Sequence, residues 1–100
     1  MILAEVTKDA DDKLSAFKVE NHGESYVCSA VSMLVINTIN SIEALTGQQF
    51  DYDYDTNGGF IKLSLQGPRD SGASILLDAM LLGLRSVHEQ YPDEIILKEM

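Results

Sequence analysis

Two periods of apolar residues alternate along this chain, and their order predicts the fold. Residues 2–7 and 14–20 carry short runs in which apolar and polar positions tend to alternate, as at Lys18, Val19 and Glu20, the mark of half-buried strands. The segment Lys8–Lys13 between them is polar and reads as a turn, so the pair is expected to form a hairpin. Asn21 to Val27 reads as a loop. From about Cys28 to Leu45 the period changes: Val31, Leu34, Val35, Thr38, Ile42 and Leu45 recur at three and four, and Met33, Ile36 and Ile39 widen the stripe. Gly47 is the expected stop signal of that helix. Phe50–Asp55 then alternates aromatic with acid, Thr56–Gly59 reads as a turn, and Phe60–Leu65 alternates again, the clearest hairpin in the chain. Gly67-Pro68 is a break. A second helix is expected from near Ser71 to about Tyr91, with Leu76, Met80, Leu84, Val87 and Tyr91 on one face and Leu77 and Leu81 on another. Asp70 or Ser71 is placed to cap its start, and Pro92 closes it. Ile95–Leu97 is a final strand.

The order is ββαββαβ. Hairpins imply a largely antiparallel sheet, and two amphipathic helices imply a second layer, so the fold class is α+β, two-layer. One hundred residues without a linker or low-complexity tract make a single domain, residues 1–100. Both helices are apolar over more than one narrow stripe. One stripe covers the sheet, and the surplus predicts a homodimer through helix faces.

Charge narrows the function classes. Sixteen acids against seven basic residues give a formal net charge of −9. Nucleic-acid backbones call for clustered Lys and Arg, so direct nucleic-acid binding is not expected. An acidic surface instead favours a basic partner. The start Met1-Ile2-Leu3-Ala4-Glu5 lacks the basic region of a signal peptide. Asn37, Asn40 and Ser41 interrupt the first long apolar stretch and Asp78 and Arg85 the second, so no membrane span is expected. The cytoplasm is the expected compartment. A single cysteine rules out an intrachain disulfide and a multi-cysteine zinc site. No cofactor or metal is expected.

That cysteine is the chemical focus. Cys28 stands six positions after His22, one of two histidines, at the expected start of the first helix. Helix starts hold unpaired amides and a positive dipole end, and these, like a neighbouring imidazolium, favour the thiolate that acts as nucleophile. His22 could serve as base and later as general acid. The amides of Cys28 and Ser29 could hold an oxyanion. Ser32 lies one helical turn from Cys28 on the same face, and Glu24 is the nearest acid able to orient His22. On spacing alone the competing reading wins, since a lone cysteine is usually a small core hydrophobe.

Two short motifs, in order, bear on that choice. Asn21-His22-Gly23 at a strand end is followed by Cys28-Ser29-Ala30-Val31-Ser32 opening an apolar helix. Leu81-Leu82-Gly83-Leu84 and Tyr91-Pro92-Asp93 come later, before the closing strand. The chain resembles the ribosomal-processing cysteine proteases of bacteria, the Prp family, over essentially its whole length. The family pattern is Gly-His-Ala, a variable loop, then Cys-Ala-x-Val-Ser; here Asn21 stands at the Gly and Gly23 at the Ala. The resemblance implies a cysteine endopeptidase that removes an N-terminal extension from a large-subunit ribosomal protein. Its partner would be that precursor. Cys28 would be nucleophile, His22 base and Ser32 a supporting residue.

Two other functions stay open. A non-catalytic acidic protein on the same fold, associated with ribosome assembly, would hold a basic partner. Asp53–Gly58 matches the first half of a calcium loop, but the twelfth position falls on Ser64 and the flanks read as strands, so a hairpin turn is favoured. His88, expected in the last turn of the second helix, suits the dipole there rather than catalysis.

Overall fold

The computed structural model describes residues 1–21, 26–55 and 59–100. Its elements are β1 (Ile2–Lys8), β2 (Leu14–Glu20), α1 (Tyr26–Leu45), β3 (Gln49–Tyr54), β4 (Phe60–Gln66), α2 (Ser71–Gln90) and β5 (Ile95–Glu99). The expected ββαββαβ order is the observed one. The five strands form one sheet in the order β3-β4-β2-β1-β5. All pairs are antiparallel except β1 with β5, which is parallel, so the sheet is mixed.

Alternation decides which face each residue takes. Ile2, Ala4 and Val6 of β1, Phe17 and Val19 of β2, Ile61 and Leu63 of β4 and Ile95 of β5 are all buried. They meet Val31, Val35 and Ile42 of α1 and Leu77, Met80 and Leu84 of α2 in one apolar core. The opposite face is polar. In register across it stand Lys98, Glu5, Lys18, Lys62 and Asp53. Burying the apolar face is the main stabilising term, at about 25 cal/mol per Å² removed from water.

The two helices pack closely. A Cβ added at Gly83 of α2 would lie 2.7 Å from a methyl of Leu34 on α1. The wider apolar stripes are only partly buried. Ile39 is in the core, but Met33, Ile36 and Leu45 of α1 and Leu82 of α2 are exposed.

Three features differ from the sequence expectation. Helix α1 starts at Tyr26, not Cys28, because its first turn needs no apolar period of its own. Its end does not use a left-handed Gly47, since Gly67 (φ +68°) is the described glycine with positive φ. Instead the Thr46 amide and hydroxyl both donate to the Ile42 carbonyl, at 3.2 and 2.7 Å. Finally, α1 is 20 residues long and apolar enough by composition to cross a membrane, against expectation. Seven of its residues are buried, and a core helix meets that length and composition test as well.

Candidate active site

Strand β2 delivers the chain to one end of the sheet. There it passes through Asn21 (φ +61°) into the segment that holds His22 and Glu24, and α1 begins at Tyr26. His22 and Glu24 lie outside the described residues. The Asn21 amide donates to the Gly59 carbonyl at 2.9 Å, so the β3–β4 hairpin meets the chain at this point. Helix α2 ends nearby, since the Tyr26 ring packs edge-on against Tyr91, the C-cap of α2, with centroids 6.4 Å apart.

Cys28 is the third residue of α1 and is 6% exposed, at the margin of the core beside Val27 and Val31. Both readings of the sequence meet here: the thiol is packed like a core side chain, and it also sits in the first helical turn. That turn is the positive end of the helix dipole, and among the described residues no acidic side chain stands in it to oppose a developing negative charge. Ser32 is half-buried one turn further on, on the same side of the helix as Cys28.

Ser29 is placed differently from the expectation. Because the helix starts two residues early, Ser29 is its fourth residue and is exposed. Its amide belongs to the start of the internal ladder, whereas that of Cys28 remains in the first turn. The Ser just before Tyr26 in the sequence is a residue type that favours helix starts, and this signal marks the earlier boundary.

The remaining chemistry-bearing residues take structural or surface places. His88 is exposed in the last turn of α2. Asp53 opposes Lys62 across the β3–β4 pair, and the second half of the calcium-like stretch, residues 56–58, lies outside the described residues. Among the described residues no group of three or more His, Cys, Asp or Glu is arranged to hold a metal ion.

The profile of the cysteine protease Prp family matches residues 1–96. The chain belongs to that family. The ribosomal processing cysteine protease Prp of Staphylococcus aureus is 27% identical over 103 residues, covering 97% of each chain. That of Bacillus subtilis is 24% identical, covering 95% of this chain and 94% of the other. A crystal structure of the S. aureus Prp with a covalently linked product peptide superposes with a TM-score of 0.93 at 27% identity, covering both chains fully. This chain thus keeps the Prp fold from end to end, and its one cysteine opens the first helix of that fold.

Proposed function

We propose that this protein is a cysteine endopeptidase that removes the N-terminal extension of a bacterial large-subunit ribosomal protein. The observation that carries the proposal is the position of Cys28: the first turn of α1, in a chain matched by the cysteine protease family over residues 1–96. The names of the relatives and the peptide complexes of the S. aureus enzyme support the substrate class.

In the proposed reaction His22 takes the proton of the Cys28 thiol, and the thiolate attacks the scissile carbonyl. The amide of Cys28 and the positive end of the α1 dipole stabilise the oxyanion. His22, now protonated, gives its proton to the leaving amine, and water then hydrolyses the thioester. Ser32 supports the arrangement from the next turn, and Glu24 orients His22.

The test is cleavage of a peptide spanning the precursor's N-terminal extension, together with alkylation of Cys28 across pH. Wild type is expected to cleave and to alkylate rapidly below neutral pH. Cys28→Ala and His22→Ala are each expected to lose cleavage by about 10⁴-fold or more. An intact peptide, with ordinary thiol reactivity in wild type, would return the chain to the non-catalytic acidic binding protein.

The protein is further proposed to form a homodimer through its helix faces, supported by exposed Met33 (67%) and Leu82 (62%) on the two helices. Its proposed compartment is the cytoplasm, where ribosomal proteins are made.

A further inference from the structure

We propose that the outer edge of β3 is a docking site for a basic, extended peptide, which joins the five-stranded sheet as an added strand. The proposal stands whether or not the chain is a protease. The sheet has two edge strands, β3 and β5. An edge presents a row of backbone groups without partners and invites another chain, so edges are commonly blunted by lysine or proline. β5 carries Lys98, and its Glu99 is held by Arg85 of α2. β3 has no lysine, arginine or proline from Gln49 to Tyr54, and five of its six residues are exposed. Its pairing with β4 runs without a bulge. Among the described residues, no backbone group from Phe50 to Tyr54 bonds outside that ladder.

Alternation gives this edge two unlike faces. Tyr52 and Tyr54 lie on the helix side, since they stand in register with buried Leu63 and Ile61. Their rings stack, with centroids 6.1 Å apart and planes at 2°, yet each is more than half exposed. Such a pair is an apolar shelf that side chains of a neighbouring strand can cover. Asp51 and Asp53 lie on the open side, exposed, and neither forms an ion pair among the described residues. Lys62 faces Asp53 in register, but its ammonium lies over the Phe60 ring, 5.9 Å from the centroid. An incoming strand therefore meets apolar and acidic positions in alternation, and the chain that matches them alternates apolar with basic residues. A second copy fits poorly. Antiparallel pairing about a two-fold axis would set the acids of both copies together on one face, where like charges across strands repel. The same acids repel nucleic acid.

The experiment titrates the full chain with a labelled hexapeptide alternating Lys and Val, and with its Glu-Val counterpart. Readouts are fluorescence anisotropy, hydrogen exchange of the β3 amides by NMR, and Tm. The Lys-Val peptide is expected to bind, and to bind about tenfold more weakly as salt rises from about 0.05 to about 0.5 M. The amides of β3 that point outward should exchange about tenfold more slowly when it is bound. Replacing Asp51 and Asp53 together by Asn should weaken binding about tenfold, with Tm close to that of wild type. Replacing Tyr52 and Tyr54 together by Ser should weaken it by several-fold. The exchange measurement on wild type carries the test if a variant does not fold. Binding that leaves β3 exchange unchanged would mean adsorption by charge alone and would overturn the proposal. Equal binding of the Glu-Val peptide, or no binding of the Lys-Val peptide at millimolar concentration, would also overturn it. Protection of β3 that rises with protein concentration, without peptide, would give the edge to a second copy instead.

Discussion

Cys28 does two jobs with one side chain. Its sulfur fills space at the margin of the core, and its place in the first turn of α1 gives that sulfur an electrostatic setting suited to negative charge. The Cys28→Ala variant, proposed to remove the reaction, should therefore keep the fold. Cys28→Ala is expected to unfold cooperatively with a loss of about 1 kcal/mol, the cost of one small buried group. Thermal or urea denaturation beside the cleavage assay checks this, and a loss of fold in that variant would undo the separation. The thiol was legible in the sequence because a lone cysteine before a helical period is conspicuous, whereas its burial was not, since both readings shared the same spacing. The left-handed backbone of Asn21 was illegible for another reason. A single φ leaves no period, and only the hydrogen bond to a residue 38 positions later fixes it.

At the scale of elements, the periods of 2 and 3.6 located every strand and both helices, and Asp70 was already a candidate cap of α2, but the tie it makes between two connections was not legible. That tie comes from residues outside both periods. Gln48 is buried, and its amide group bonds the carbonyls of Gln49 and Gln66 while its oxygen receives the Asp70 amide. Asp70 in turn caps α2 by accepting from Gly72 and Ala73, and reaches across to the Gly47 amide. The α1–β3 and β4–α2 connections are thereby tied together. Asp70→Ala is expected to cost about 1–2 kcal/mol, at the upper end for a lost cap, measured by urea denaturation. A variant as stable as wild type would show that the tie is idle.

A second link, between α2 and β5, gives a pH signature. Arg85 donates to both oxygens of Glu99, at 3.1 and 2.5 Å, and these hydrogen bonds hold the Glu99 carboxyl below its ordinary range. A depressed carboxylate contributes stability above its unfolded value, and that contribution fades as pH falls through the folded value. Arg85→Ala is therefore expected to lower Tm at about pH 7, and its gap from wild type is expected to shrink as pH falls through the lowered folded value of Glu99. Equal Tm values throughout would mean that the pair contributes nothing. Both groups are partly exposed, so the effect is expected to be small.

At the scale of the whole molecule, one face of the sheet carries the helices and the helices carry leftover apolar surface. The sequence already showed that surplus as stripes wider than one face requires. It could not say which residues would remain outside, because that depends on how closely α1 and α2 approach at Gly83 and Leu34. With Met33 and Leu82 both exposed, Leu82→Glu is expected to convert a dimer to a monomer in sedimentation equilibrium. A wild-type monomer, or a dimer unmoved by the charge, would overturn the helix-face homodimer.

The parallel pairing of β1 with β5 has a consequence in time. Ile2 lies against Ile95, and the Lys8 amide reaches the Met100 carbonyl, so β1 waits for a neighbour that follows every other element of the sheet. The β1–β2 and β3–β4 hairpins close locally, but β1 stays an open edge until the chain has been made out to β5. Such distant contacts slow folding, since loop closure is paid for before they form. On a translating ribosome the sheet would thus be completed only once β5 has emerged, and a protease whose thiol is packed against that sheet would mature no earlier.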